Sequence, residues 1–172
     1  MRVRELMTEQ PKSCGLNTNL ASAVELMWEG DCGVLPVTEE GKLAGIITDR
    51  DICIAVGTRN RPAAEIAVKE VANHHVLTCL AEDDVHTAMS VMRSAKIRRL
   101  PVVDAQGKLE GMVSLTDIAL AADHKKGGIE DSEVVDLIRA ANQRRSQKAL
   151  ALGSKSQALE PVRFQRSPAV LA

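Results

Sequence analysis

The 172-residue chain balances 22 basic against 23 acidic residues for a net charge of −1, so no global field draws it to nucleic acid or to an anionic membrane. Apolar residues make up 45% but aromatics only 1%, with Trp28 and Phe164 the sole examples, so any core must be built from Val, Ile, Leu, Met and Ala. No apolar run approaches the ~20 residues that span a bilayer, the four cysteines have no Cys-x-x-Cys spacing, and residues 1–5 lack a signal peptide's apolar run; a reduced, cytoplasmic protein with no membrane or nucleic-acid partner is expected.

In chain order, residues 3–7 read as a short amphipathic turn ending before Pro11, because proline biases its predecessor away from the helix. Residues 12–16 suit a short strand. Asn19 is placed to cap a helix over 20–29, in which Leu20, Ala23, Val24 and Met27 form a buried stripe. Apolar runs at 33–38 and 43–48 flank Glu39-Glu40-Gly41-Lys42, a hairpin whose glycine supplies the positive φ of a tight turn. Pro36 cannot donate to a ladder and is expected at a sheet edge or strand start, as is Pro101 further on. A closing helix covers 49–56, and the polar stretch 57–62 has breakers at both ends.

The same grammar then returns. Ala23 matches Ala88 and Pro36 matches Pro101, 65 residues on; Gly45 matches Gly111 and Asp51 matches Asp117, 66 residues on. The second hairpin, around Ala105-Gln106-Gly107-Lys108, therefore holds one extra residue. Asp84 caps the second helix ahead of Val85, Ala88, Met89 and Met92, strands follow at 100–104 and 109–114, and a helix closes the copy at 115–123. The expected division is repeat one over 1–64, repeat two over 65–126, a C-terminal helix within 127–152 and a disordered tail over 153–172. Lys125-Lys126-Gly127-Gly128 stops the second repeat, and a helix from about Glu133 to Leu152, capped by Asp131 or Ser132, presents Val134, Leu137, Ile138 and Ala141. Each repeat alone would bury only ~60% of its unfolded surface, so the two are expected to fold against each other.

Leu35-Pro36-Val37 with Gly45-Ile46-Ile47-Thr48-Asp49-Arg50-Asp51, and Arg98-Arg99-Leu100-Pro101-Val102 with Gly111-Met112-Val113-Ser114-Leu115-Thr116-Asp117, resemble the paired CBS (cystathionine beta-synthase) domain family over roughly residues 3–122. The resemblance implies a mixed α/β (α+β) fold, a tandem CBS pair in which each repeat runs β-α-β-β-α about a pseudo-twofold axis. It implies two clefts between the copies that take AMP, ADP, ATP or another adenosyl compound as a regulatory ligand rather than a required cofactor. The implied role is to sense that metabolite and report it to a regulated protein.

The motif chemistry agrees. A carboxylate can accept both hydroxyls of a ribose, each charge-assisted bond contributing ~1.5 to 3 kcal/mol, which makes Asp51 and Asp117 the candidate ribose acceptors. Thr48 and Ser114, one turn earlier at a helix N-terminus, could cap that helix, steady ribose or phosphate, or do both. Pro36, Val37, Pro101 and Val102 are expected to wall an adenine. Arg98 and Arg99 are the candidate phosphate contacts, for which repeat one offers only Gly33 and Val34; by the resemblance they share a cleft with Asp51, while the cleft of Asp117 takes a less charged ligand or none. Arg50 and Lys42 are weaker basic candidates. Gly45 and Gly111 fit either a close backbone approach or a ligand contact.

Other signals are thinner. His74, His75 and Cys79 lack the further ligand a zinc site needs, and Cys14 and Cys79, being repeat partners, read as core; no metal is expected. Trp28 suits either a homodimer contact or ordinary partial burial. The chain carries no Gly-x-x-x-x-Gly-Lys-[Ser/Thr] loop, no Gly-x-Ser-x-Gly elbow and no paired metal-binding histidines, so no catalytic residue is assigned. The alternative to a ligand sensor is a ligand-free interaction and dimerisation module. The basic residues of the last helix suit its C-terminal dipole, and its apolar stripe suits a neighbouring subunit.

Overall fold

A computed structural model describes residues 1–122 and 128–143 of the chain. Strands β1 (Thr8–Glu9) and β2 (Cys14–Gly15) precede helix α1 (Leu20–Glu29), strands β3 (Val34–Glu39) and β4 (Lys42–Thr48), and helix α2 (Asp49–Arg59). Helix α3 (Val85–Ala95), strands β5 (Arg99–Val103) and β6 (Leu109–Ser114), helix α4 (Leu115–Leu120) and helix α5 (Asp131–Asn142) complete it. The expected stop at Lys125–Lys126–Gly127, the extension of the last helix to Leu152 and the disordered tail lie outside the described residues.

Two three-stranded sheets form, β2-β3-β4 and β1-β6-β5. The caps behave as their chemistry requires. Asn19 Oδ1 accepts from Ser22 N at 2.9 Å and Asp84 Oδ1 from His86 N at 2.9 Å, satisfying amide donors that a first helical turn leaves unpaired. Helix α5 begins at Asp131 after Glu130, two residues earlier than expected, with Glu133 Oε2 accepting from Glu130 N at 3.1 Å.

The hairpins explain the change of offset. In the first, Glu39 pairs with Lys42 across Glu40 (φ 50°) and Gly41 (φ 79°), a two-residue turn with both φ positive. In the second, Val103 pairs with Leu109, and Asp104 Oδ1 accepts from Gln106 N and Lys108 N, each at 2.8 Å, ahead of Gly107 at φ 80°. The extra residue thus exchanges one turn type for a longer one. The two tips then join: Leu43 N donates to Gly107 O at 3.0 Å and Leu109 N to Gly41 O at 3.1 Å.

Each repeat donates its opening segment to the other. Strand β1 pairs with β6, Val3 N donates to Asp83 O at 3.0 Å, and Val3 is fully buried in the second core among Val85, Met92 and Leu100. Reciprocally, Asn73 bridges Ile46, Val68 N donates to Thr18 O at 2.8 Å, and Ile66 and Val68 are fully buried in the first core with Leu20, Leu35 and Ile47. The order of strand, helix, two strands, helix holds within each copy, with the crossing segments added ahead of it. The opening strand shrinks to Cys14–Gly15 in repeat one and to the single bridge of Cys79 with Val102 in repeat two.

Pro36 also departs from expectation. It is the third residue of β3, the middle strand of its sheet, rather than at an edge or a strand start. The strand tolerates it because β2 first pairs at Val37, so no partner carbonyl waits for the missing N–H. Pro101 does lie in an edge strand, and its carbonyl accepts from Cys79 N at 3.1 Å.

Candidate functional site

The two motifs fold into nearly superimposable caps. Thr48 (φ −116°, ψ 159°) and Ser114 (φ −120°, ψ 161°) end β4 and β6 in extended geometry and cap α2 and α4. Thr48 Oγ1 accepts from Asp51 N at 3.2 Å and donates to Asp51 Oδ2 at 2.6 Å, while Thr48 N donates to the same Oδ2 at 3.1 Å. In repeat two, Ser114 Oγ accepts from Asp117 N at 3.2 Å and donates to Asp117 Oδ2 at 2.8 Å, and Ser114 N donates to it at 2.8 Å. These are reciprocal capping boxes with aspartate in place of the usual glutamate.

The arrangement divides each carboxylate's work. Oδ2 is committed to the cap, whereas Oδ1 of Asp51 and of Asp117 has no hydrogen-bond partner among the described residues. Both side chains are half-buried, which holds the free oxygen in place and still leaves it reachable. A rigid acceptor of this kind suits a hydroxyl of a ligand. Thr48 and Ser114 have already spent their protons on the carboxylates and retain only acceptor capacity.

The expected adenine walls divide by strand alternation. Val37 and Val102 are fully buried in the two cores with Leu35 and Leu100, so their side chains offer a ligand no surface; this corrects their reading as a wall. Pro36 and Pro101 point to the opposite sheet face and are buried there. The same face carries Val34, Leu43, Val103 and Met112, which are buried yet belong to neither core.

Gly45 and Gly111 have a structural reason. A Cβ at Gly111 would lie 2.6 Å from Met7 Sδ and 3.0 Å from Thr8 O, and one at Gly45 would lie 3.1 Å from Asn73 O. The crossing segments press directly on the strands, as the close-approach reading of these glycines requires.

Basic groups are distributed unequally. Arg98 and Arg99 are exposed and have no ion-pair partner among the described residues, and Arg98 O accepts from Leu115 N at 2.8 Å. At the matching place in repeat one, Asp49 N donates to Gly33 O at 3.1 Å, and a Cβ on Gly33 would fall 2.7 Å from Asp49 Oδ2. In repeat one, then, an acid stands where a side chain at the position matching Arg98 would begin. Asp49 did not figure among the sequence candidates, although its pairing with Leu115 in the aligned motifs was the signal for it.

The histidines and cysteines do not converge. His74 is exposed, with Nδ1 3.0 Å from Ala44 O and Nε2 3.3 Å from Lys69 O. Cys14 and Cys79 are buried, and burial pushes their thiols up to about 11 and about 12, with the nearby Asp83 charge adding to the second. Among the described residues no group of three or more His, Cys, Asp and Glu could hold a metal ion, and no helix is long and apolar enough to cross a membrane.

A duplicated α/β unit with interlocked opening segments and one half-buried carboxylate at each repeat's last strand-to-helix junction defines a tandem-repeat module with two candidate sites at matching positions. The chain belongs to the CBS domain family, whose pattern it matches twice, over residues 3–57 and 68–124. It is 34% identical over 118 residues to the CBS domain-containing protein YhcV of Bacillus subtilis, covering 69% of this chain and 83% of that one. It is also 34% identical over 122 residues to a homoserine O-acetyltransferase of Methanocorpusculum labreanum, but spans only 24% of that enzyme's length. Among solved structures, the CBS domain pair of protein MJ0100, in complex with 5'-methylthioadenosine and S-adenosyl-L-methionine, superposes with a TM-score of 0.63 at 26% identity, covering 70% of this chain and 94% of that one. Hypoxic Response Protein I, with two coordinated zinc ions, gives 0.64 at 28% identity over 73% of this chain and all of that one.

Proposed function

We propose that the chain is a regulatory module that binds an adenosyl compound, of the AMP, ADP, ATP or S-adenosyl type, in clefts between its two repeats and signals occupancy to a regulated protein while working as a homodimer in the cytoplasm. The observation that carries this reading is the pair of matched carboxylates, each fixed through Oδ2 and open at Oδ1. Asp51 and Asp117 accept ribose hydroxyls, while Thr48 and Ser114 hold the acids and turn helix N-termini toward the ligand. The base lies on the sheet face of Pro36 and Pro101 and meets the backbone of Val37 and Val102. Arg98 and Arg99 contact phosphate in the cleft of Asp51, and Asp117 serves the less charged ligand. The likeness to the MJ0100 pair with its two adenosyl ligands supports this ligand class.

The test is thermal denaturation with each adenosyl compound, alongside mass spectrometry of small molecules released from the purified protein. A ligand at a hundredfold its Kd stabilises by ~2.7 kcal/mol and raises the Tm. No shift with any of them, and no released adenosyl compound, would overturn the reading. That outcome would favour a ligand-free interaction module, to which one observation already points: each aspartate is employed in its own helix cap.

A further inference from the structure

Helices α1 and α3 end in the same turn with opposite charge. After α1, Asp31 N donates to Trp28 O at 3.2 Å and Cys32 N to Met27 O at 3.0 Å; after α3, Lys96 N donates to Arg93 O at 3.4 Å and Ile97 N to Met92 O at 3.0 Å. Asp31 (φ 45°) and Lys96 (φ 55°) hold the same left-handed position. Residues 28–34 of repeat one carry two acids, Glu29 and Asp31, and Glu29 is paired with Lys12 at 3.2 Å. The matching residues 93–99 of repeat two carry Arg93, Lys96, Arg98 and Arg99 with no acid among them. Arg93, Arg98 and Arg99 are exposed and Lys96 is half-buried, and none of the four has an ion-pair partner among the described residues. The dipole of α3 favours cations at its C-terminus, but the fold does not demand them, since α1 ends in the same geometry on acids. Four like charges gathered without a counter-charge repel one another, which an anionic ligand would relieve. Because Ile97 is bonded back to Met92, the chain folds on itself and keeps the backbone of Arg93 and Lys96 close to that of Arg98.

We infer that this turn takes the outer phosphates of a nucleoside triphosphate, so that the module prefers an ATP-type ligand to an AMP-type one. This rests on the reading of the module as an adenosyl sensor, with Arg98 and Arg99 as the contact for the first phosphate, and names the ligand within that class. A monophosphate brings roughly two negative charges, which the arginine pair already matches. Each further phosphate adds charge that Lys96 and Arg93 are placed to meet, the arginine through its planar fork and the lysine as a point charge. At the matching turn of repeat one, Glu29 and Asp31 repel a phosphate chain, so the triphosphate has a single place on the module.

Isothermal titration of the full chain with ATP, AMP and tripolyphosphate, in the absence of divalent cations, tests the inference. ATP is expected to bind at least about tenfold tighter than AMP, with the steeper loss as salt is raised. Lys96→Asp, which installs the residue that repeat one holds in the same turn, and Arg93→Gln are each expected to weaken ATP about tenfold and to leave AMP nearly unchanged, at unchanged circular dichroism. Lys12→Gln, which removes the same charge at the matching end of repeat one, is expected to alter neither affinity. ATP binding no tighter than AMP, an ATP loss that Lys12→Gln reproduces, or one that Lys96→Asp and Arg93→Gln fail to cause overturns the inference and leaves the adenosyl reading standing. Tripolyphosphate binding as tightly as ATP assigns the turn to a free phosphate chain and overturns the nucleotide as its ligand. If neither nucleotide binds, the inference falls, whatever other adenosyl compound raises the Tm.

Discussion

The two repeats share a backbone plan and differ in what covers and charges it. Repeat two carries α5 over its helices, a three-residue turn closed by the pairing of Asp104 with Lys108, and two arginines before its central proline; repeat one has no such covering helix among the described residues, a two-residue turn, and the Gly33–Asp49 contact in place of those arginines. What they hold in common is the crossing of the opening segments and the twin capping boxes. Duplication therefore preserved the interlocking and the carboxylate geometry, while surface and charge diverged. A symmetric frame is being used asymmetrically.

The largest expected effect comes from removing the cover of repeat two. Leu137→Ala empties a fully buried position between α5 and the second core and is expected to cost about 2–5 kcal/mol, whereas Val24→Ala, at an exposed position on α1 of repeat one, should cost less than about 0.5 kcal/mol. Equal losses in chemical denaturation would erase the distinction. Next come the strand glycines. Gly111→Ala meets Met7 Sδ and Thr8 O and is expected to cost about 1–3 kcal/mol, with Gly45→Ala at the lower end of that range, because its nearest atom, Asn73 O, stands at 3.1 Å.

Ligand affinity separates the clefts on a smaller scale. Asp51→Ala should weaken a phosphate-bearing adenosyl ligand about tenfold, or ~1.4 kcal/mol, in isothermal titration, and Arg98→Ala should act on the same ligand; Asp117→Ala should leave that ligand nearly unchanged. Equal effects of the two aspartates would show that the clefts are equivalent after all.

The smallest effect concerns acid. The Ala67 N–H and then Arg61 hold the Glu70 carboxyl below its ordinary 4.5, with the Arg59 charge adding to them. A depressed folded-state pKa contributes stability that is present above the unfolded pKa and is lost as pH falls through the folded one. Glu70→Gln should therefore flatten the Tm profile below about pH 4.5, the ordinary value, and leave its slope at neutral pH unchanged. An unaltered acid limb would place the dependence elsewhere, for instance at Asp84, which its bonds from His86 also hold low.

Much of this was legible in the residues. Asn19, Asp84, Thr48 and Ser114 announced four helix starts because capping is local chemistry, and the bounds of α1 emerged as expected. Gly41 and Gly107 marked both turns for the same reason. The crossing of β1 onto β6 was not legible, since residues 8–9 show no periodicity and their partner lies a hundred positions away. Val37 and Val102 were assigned to a ligand wall because a short apolar strand does not say which face is the core; only the sheet register, with Leu35 and Leu100 on the same side, decides it. Whether a carboxylate caps, binds or does both depends on which oxygen is left over, and that is a matter of ångströms rather than of spacing.

The traded opening segments have a consequence for cutting the chain. Severing it within 57–62 gives two pieces, each holding buried residues of the other's interior: Val3 on the first, Ile66 and Val68 on the second. Neither piece can close its own hydrophobic interior alone, yet together they contain every part. Expressed side by side, the halves should reassemble like a clasp, so that anything loosening one half is felt at once in the other.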